Sequence, residues 1–140
     1  MDEPATREHR IDIVASSADV DELGHVSNVA FVRWVQEVAK AHSETVGWDV
    51  DAYRRLGAVF VVRRHEIDYL APAFEGDRIT IVTWIESWSA ATSIRCTRVV
   101  RDSDQRELAR AATTWALVSV ESGRPRRIPR EIVDAFVGGG

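Results

Sequence analysis

The sequence predicts an α+β fold in which one long helix packs against an antiparallel sheet. Apolar residues recur at helical spacing from about 28 to 46, and the segments after residue 58 are rich in Val, Ile, Thr and Trp, as strands are. The connectors between those segments are too short for a parallel crossover, so they predict antiparallel neighbours. With 140 residues, of which 45% are apolar, the chain is expected to form a single domain with its own core.

The long helix is the best-defined element. Ser27 or Asn28 is predicted as its N-cap, and Gly47 as the residue that ends it. One face carries its large apolar side chains at the spacing of a helix, and His42 falls on that same face. A helix with so wide an apolar surface is expected to be covered on more than one side. Its apolar face comprises Phe31, Trp34, Val35, Val38, Ala39 and Val46.

The remaining elements follow from turn residues and changes of period. A strand at 9–15 precedes the long helix, and a shorter helix capped by Asp49 and ended by Gly57 follows it. The two ends of the chain are expected to be flexible, over residues 1–8 and 138–140. Four later strands and a last helix are predicted at 58–70, 77–88, 91–101, 106–120 and 130–137.

The strands are more apolar than a sheet with one solvated face requires. Trp84, Trp88 and Trp115 add large surfaces to them. Part of the outer face or an edge strand is therefore expected to be buried against another subunit.

Composition excludes several classes of protein. The net charge of −4 and the lack of a basic run argue against nucleic-acid binding. Cys96 is the only cysteine, so no intrachain disulfide can form, which fits a reducing compartment. No apolar run approaches the ~18 residues of a membrane span, and the polar N-terminus lacks a signal sequence. The expected location is the cytoplasm, without membrane association.

Residues 19–28 form a turn that leads directly into the long helix. The first N–H groups of a helix have no intrahelical acceptor and carry about half a positive charge. They could stabilise an acyl oxygen that gains negative charge, while a carboxylate on the turn reaches the acyl carbon. This pattern suggests acyl-transfer chemistry. The segment reads Asp19-Val20-Asp21-Glu22-Leu23-Gly24-His25-Val26-Ser27-Asn28.

Over residues 9 to 135 the chain resembles the hotdog-fold thioesterases, specifically the 4-hydroxybenzoyl-CoA thioesterase-like group of small acyl-CoA hydrolases. The resemblance lies in the 19–28 motif, in Phe31 and Trp34 with Glu37 one turn further on, in 66–77, and in the ending at 123–129. It implies a five- to six-stranded antiparallel sheet wrapped around one long central helix. It also implies a homodimer or a tetramer, with two acyl-CoA sites at the subunit interface of each dimer.

The resemblance gives roles to the residues of the turn. Asp21 occupies the position of the catalytic carboxylate and would either attack the thioester carbon or activate a water; otherwise it is a solvated turn acid. The backbone N–H of Asn28 falls at the oxyanion donor, and Asn28 could equally be a helix cap. His25 would orient the carbonyl or protonate the leaving thiolate, or only bind the turn. Gly24 is expected to allow a positive φ or close approach of the thioester.

Substrate-binding residues are less sharply indicated. Coenzyme A would enter only as part of the substrate, and neither a metal nor another cofactor is expected, because no histidine pair has a metal-ligand spacing. The connector at 89–93 lacks the family's frequent basic residue, which leaves room for an acyl carrier protein as the donor. The expected acyl pocket, or plain core, comprises Phe31, Trp34, Val59 and Phe60. Candidate partners for the phosphates are Arg63, Arg64, Arg95, Arg98, Arg126 and Arg127.

The other polar residues receive structural interpretations. Asp19 and Glu22 are assigned to the turn itself, and Glu37 to an ion pair with Arg33. His42 is predicted to be a hydrogen-bonded core histidine. His65, within a strand, is predicted to have a cross-strand partner.

Two other functions remain open. A hotdog hydratase or dehydratase would require an Asp-x-Asn-Pro-x-His arrangement; here the spacing from Asp21 to His25 is one residue too short, and no Pro follows. A non-catalytic acyl-thioester-binding module on the same fold is the other alternative, since fold does not fix function. The presence of Asp21 argues against it, because binding alone does not need a carboxylate there.

Overall fold

The computed structural model describes residues 3–138. Each predicted helix and strand is present, with ends within one residue of those predicted. The predicted flexibility of residues 1–2 and 139–140 concerns positions outside the described range. In chain order the elements are β1 (His9–Val14), α1 (Asn28–Thr45), α2 (Val50–Leu56), β2 (Ala58–Tyr69), β3 (Arg78–Trp88), β4 (Thr92–Arg101), β5 (Arg106–Ser119) and α3 (Arg130–Gly138).

The helix ends are fixed by the predicted capping residues. The Ser27 side chain accepts a hydrogen bond from the Ala30 N–H at 3.1 Å, so Ser27 is the N-cap of α1 and Asn28 is its first helical residue. Asp49 caps α2 in the same way. Gly57 ends α2 at a φ of 78°, a conformation that glycine adopts without steric cost.

The sheet has five strands in the order β1-β3-β4-β5-β2, and every neighbouring pair is antiparallel. The prediction that a short connector makes neighbours is confirmed for β3 with β4 and for β4 with β5. It is wrong for β2 and β3, which lie three strand positions apart. The connector at 70–77 spans roughly 26 Å when extended, which exceeds three interstrand spacings of about 4.8 Å. It crosses the end of the sheet and leaves β2 as an edge strand.

The sheet wraps around α1, and its concave face forms the core. A first apolar cluster surrounds the N-terminal half of α1 and includes Phe31, Trp34 and Val38. A second cluster lies beyond the C-terminal half of α1, where Phe136 of α3 packs with Trp88 of β3. The wide apolar surface of α1 is therefore covered on more than one side, as predicted.

A β-bulge in β3 decides which of its tryptophan side chains face inward. The register of β3 shifts between Ile85 and Ser87, so Trp84 pairs with Cys96 on the outer face whereas Trp88 is buried inside. Trp115 also lies on the inner face and lines a cavity there. Of these three tryptophans, only Trp84 faces the outer surface of the sheet.

The segment before β1 contacts the sheet. Thr6 is buried; its N–H donates to the Ile85 carbonyl at 3.0 Å, and its Oγ1 accepts from the Ile85 N–H at 2.8 Å. Within residues 3–138, no helix has both the length and the apolar character needed to cross a membrane.

Candidate functional site

The segment before α1 folds into a tight hairpin. Val20 and Val26 form a β-bridge, and inside it the Asp21 N–H donates to the His25 carbonyl at 2.8 Å. Gly24 has the predicted positive φ, 82°. A Cβ built at Gly24 would meet no atom within 4 Å, so the turn requires glycine for its backbone conformation rather than for space.

The Asp21 carboxylate lies over this hairpin at the protein surface. Its Oδ1 accepts hydrogen bonds from the Leu23 N–H at 2.9 Å and, at 3.4 Å, from the His25 N–H. Its Oδ2 has no hydrogen-bond partner among the residues described. One oxygen therefore orients the carboxylate, and the other is free to act on a second molecule.

Asp19 anchors the hairpin to the helix. It is buried, with 7% of its surface exposed, and accepts from the Ser16 N–H at 2.8 Å while forming an ion pair with Arg33 of α1. Burial alone would raise the pKa of Asp19, but the hydrogen bonds from Ser16 and Arg33 outweigh it and the pKa is lowered. Arg33 also contacts Glu37 at 3.4 Å, the predicted ion pair. Asp19 is thus part of the turn structure, as predicted.

The N-terminus of α1 presents two free amides. Asn28 and Val29 are exposed, and neither backbone N–H has a hydrogen-bond acceptor within residues 3–138. Together with the helix dipole, these N–H groups form a site suited to an oxygen that carries negative charge.

Apolar side chains border the hairpin. Leu23 is 81% exposed and Val29 is 75% exposed. Phe74, from the 70–77 connector, packs edge-on against the exposed His25 ring, with 5.2 Å between ring centroids. The connector is held there because the Val26 N–H donates to the Ala73 carbonyl at 2.8 Å. The free amides therefore lie beside exposed apolar surface.

A cavity of about 210 Å³ lies between the C-terminal half of α1, α2 and the sheet. Val59 and Phe60 line it, as the predicted acyl-pocket residues would. Phe31 and Trp34 do not; they belong to the first apolar cluster. Counted at about 1.5 Å per residue, the cavity residue Ala39 lies some 17 Å along α1 from Asn28. The four residues predicted for the acyl pocket therefore do not line one pocket: two line the cavity and two lie in the first apolar cluster.

Arg95 was predicted only as one of several arginines for phosphate, yet it lies inside the protein. It is 4% exposed, lines the cavity, and donates to Nδ1 of His42 at 2.9 Å and to Oγ1 of Thr83 at 3.2 Å. Its position could have been recognised from the alternation of β4, where Ser93, Arg95, Thr97 and Val99 share the inner face.

The two histidines assigned to structure have the predicted partners. His42 is buried and hydrogen-bonded to Arg95. Burial, the Arg95 charge and the neighbouring His9 lower the pKa of His42 to about 3. Nδ1 of His65 lies 2.9 Å from Oγ1 of Thr113 on the adjacent strand.

Two other arginines predicted to bind the coenzyme phosphates lie on the protein surface. Arg63 is exposed at the bulge of β2, and Arg127 is exposed before α3. Tyr69, six residues after Arg63 on β2, contacts the Phe31 ring near the start of α1. Six residues of strand span about 20 Å, so within one chain Arg63 lies far from the turn. No group of three or more metal-ligating side chains occurs in the described part of the chain.

Comparison with known proteins points to one family. The model of the family described as the thioesterase-like superfamily matches residues 16–136. The acyl-acyl carrier protein thioesterase ATL3 of Arabidopsis thaliana is 23% identical over 131 residues, which cover 92% of this chain and 67% of that protein. An oleoyl-acyl carrier protein thioesterase of the same plant is 27% identical over 111 residues, 74% of this chain but only 30% of that protein.

A solved structure gives the same picture of the fold. The 1,4-dihydroxy-2-naphthoyl-CoA thioesterase Slr0204 of Synechocystis superposes with a TM-score of 0.85 at 20% identity. The match covers 93% of this chain and 96% of that one.

Proposed function

Because this chain belongs to the thioesterase-like superfamily and has the hotdog fold, we propose that it hydrolyses acyl thioesters at the junction between the 19–28 turn and α1. The observation that carries the proposal is the pair of unbonded amides at Asn28 and Val29, next to the hairpin that holds the Asp21 carboxylate. An oxyanion site and a carboxylate at one helix end are the two groups that acyl transfer needs.

The helix end acts on the thioester oxygen. The carbonyl oxygen accepts hydrogen bonds from the free N–H groups and gains negative charge as the carbonyl carbon becomes tetrahedral. One such donor contributes about 3–4 kcal/mol to transition-state stabilisation. Since the donors are main-chain groups, they need no particular side chain at Asn28.

The Asp21 carboxylate acts on the carbon by one of two routes. As a base, it takes a proton from water while the water oxygen bonds to the carbonyl carbon, and the C–S bond then breaks to release the thiolate. As a nucleophile, its oxygen forms a mixed anhydride and releases the thiolate, and water then cleaves the anhydride. Either route yields a carboxylic acid and a thiol. We assign protonation of the thiolate to His25, which is exposed in the same hairpin.

The proposed substrate is an acyl-CoA or an acyl group carried by an acyl carrier protein. This rests on the relatives, which include thioesterases of both kinds. The exposed Leu23, Val29 and Phe74 provide apolar surface for the substrate beside the reacting carbon. The exposed Arg63 and Arg127 are proposed contacts for the coenzyme phosphates, reached from a neighbouring subunit.

We also propose a homodimer that buries the edge strand β2. This strand has 12 residues and is paired on only one side, with β5. A long unpaired edge is a template for joining a second chain. Light scattering should give a mass of twice 15.7 kDa, whereas a monomer at micromolar concentration would overturn this assembly.

The deciding experiment replaces Asp21 by Asn and follows thiol release from a panel of acyl-CoAs. The side-chain amide of Asp21→Asn retains an oxygen to accept from the Leu23 N–H, so the hairpin should persist while the reactive carboxylate is lost. We expect kcat to fall by at least ~100-fold, with general-base catalysis alone supplying roughly 10²–10⁴. Glu22→Gln is the matched control, because Glu22 is an exposed acid of the same turn that makes no hydrogen bond or ion pair in the described structure.

The result separates hydrolysis from the alternative of an acyl-thioester-binding module. Unchanged release in Asp21→Asn would remove Asp21 from the mechanism. Tight binding of acyl-CoA without thiol release by the native protein would overturn the enzyme proposal and favour the binding module.

A further inference from the structure

The cavity beside α2 is a partly open pocket with aromatic side chains and a buried cation in its wall. Residues of α1, α2, α3 and strands β2 to β5 line it, and its aromatic side chains are apolar surfaces suited to a ring or a short hydrocarbon. Its volume of about 210 Å³ equals roughly seven water molecules at ~30 Å³ each, so a small organic molecule fits but a whole coenzyme does not. The aromatic side chains are those of Trp48, Tyr53, Phe60, Trp115 and Phe136.

Arg95 forms no ion pair within residues 3–138, although the carboxylates of Glu44 and Asp49 also line this cavity. Its Nη1 is used by His42 and Thr83, and the Phe136 ring lies 5.7 Å from the guanidinium carbon. Its Nε and Nη2 groups make no hydrogen bond, and no carboxylate among residues 3–138 forms an ion pair with it. Burial lowers the pKa of Arg95 to about 10, so it remains charged at neutral pH. An uncompensated buried charge is unfavourable unless a ligand neutralises it.

The Ser93 hydroxyl is a second donor next to Arg95. Ser93 is two residues away on the same inner face of β4, lines the cavity, and makes no side-chain hydrogen bond in the described structure. Trp115 is directly opposite Ser93 on β5 and contributes ring surface to the cavity wall. Neighbouring positions of this kind are about 5–7 Å apart, close enough to serve one ligand.

We propose that this cavity binds a small apolar carboxylic acid, with the carboxylate on Arg95 and the hydrocarbon among the aromatic rings. The free Nε and Nη2 groups form the planar fork that binds a carboxylate with two parallel hydrogen bonds. Within one chain the site is separate from the thioester junction, since His42, the helix residue bonded to Arg95, lies about 21 Å along α1 from Asn28.

Two sources can supply this chemistry. One is a free acid such as a hydrolysis product. The other is an acyl group with a second carboxylate at its far end, and this source rests on the proposed function. The binding site itself does not rest on that function, because acid binding is measurable without turnover.

Benzoate and its neutral analogue benzamide are suitable probes for calorimetric titration. We expect native protein to bind benzoate at least tenfold more tightly than benzamide, and Arg95→Met to lose at least tenfold in benzoate affinity without a change for benzamide. Arg98→Met is the matched control, an arginine of the same strand that faces outward and is paired with Glu107. Equal affinity of native protein and Arg95→Met for benzoate, or no benzoate binding by native protein, would overturn the proposal.

Replacing an unpaired buried charge by an apolar side chain of similar length is tolerated in many proteins. If circular dichroism nevertheless shows that Arg95→Met is unfolded, Phe60→Trp provides the second test. It fills the cavity without removing Arg95 and should abolish the binding of both probes. Retention of benzoate binding by Phe60→Trp would place the ligand elsewhere and refute the site.

Turnover distinguishes the two sources. If the acyl end occupies the cavity, native protein should prefer an ω-carboxyacyl-CoA over an acyl-CoA of equal length, and Arg95→Met should lose that preference. Benzoate binding without such a preference assigns the site to a free acid. Benzoate binding without thiol release from any acyl-CoA would refute the proposed function while supporting the acid site.

Discussion

Nη1 of Arg95 lies 2.9 Å from Nδ1 of His42, and both side chains are buried between the central helix and the sheet. The guanidinium is a permanent donor, so Nδ1 of His42 must be the acceptor and the imidazole proton must be on Nε2. The His42 ring also stacks on His9, with 5.3 Å between centroids. A neutral histidine is therefore built into the core beside an unpaired cation.

This arrangement predicts loss of stability in mild acid. The pKa of His42 is lowered from 6.5 to about 3, first by burial and then by Arg95. As the pH falls from 6.5 toward 3, the unfolded chain therefore binds the proton that the folded chain excludes. The free energy of unfolding should decrease below the ordinary histidine pKa by up to about 1.4 kcal/mol per pH unit for this group. Burial also lowers the pKa of His9 and His65, which adds to the same trend.

Urea denaturation on either side of the ordinary histidine pKa, at about pH 7.5 and about pH 5.5, measures this dependence. His42→Gln, which keeps an oxygen acceptor for Arg95, should reduce the difference between the two pH values. A ring resonance of His42 that titrates near its ordinary pKa of 6.5 in the folded protein would contradict the assignment.

Asp19→Asn tests how the hairpin is attached to α1. Asn can still accept from the Ser16 N–H, but the ion pair with Arg33 is lost. A buried hydrogen bond to a charged group contributes ~1.5–3 kcal/mol, and this one contributes less because Arg33 is half exposed. We therefore expect the free energy of unfolding to fall by about 1–2 kcal/mol. Glu22→Gln should change stability by less than about 0.5 kcal/mol. Equal effects of the two substitutions would show that Asp19 does not anchor the turn.

Gly24 offers a test of the hairpin's backbone conformation. With no atom within 4 Å of a new Cβ, the cost of Gly24→Ala should come only from the positive φ, about 1–2 kcal/mol. Gly24→Asn should cost less, since Asn tolerates the left-handed region. Unfolding free energy and thiol release measured on both variants provide the comparison. If Ala were tolerated better than Asn, steric or substrate contacts rather than φ would control this position.

Much of the fold was predictable from local patterns. The period of α1, its Ser27 cap and the glycines after both early helices fixed those elements, because capping and left-handed φ are properties of a few neighbouring residues. The turn before α1 and the structural part of Asp19 were likewise predicted from adjacent residues. The family resemblance then predicted a sheet wrapped around this helix.

Which side of the sheet each strand residue faces was harder to predict from the sequence. Trp84 and Trp88 are four residues apart and would share a face in a regular strand, yet a bulge between Ile85 and Ser87 separates them. A bulge inserts one residue and reverses the alternation beyond it, and nothing in the composition of β3 marks its position.

The sequence by itself determined the elements, their caps and the acid-bearing turn before α1, since each depends on residues a few positions apart. Only the tertiary structure decided that β2 forms an edge, that Asn28 and Val29 keep their amides free, and that one cavity brings Arg95 together with aromatic side chains of α2, β2, β5 and α3. These features depend on strand order and on which side chains from distant segments meet. Contacts of that kind are set by packing of the whole chain, which no local pattern encodes.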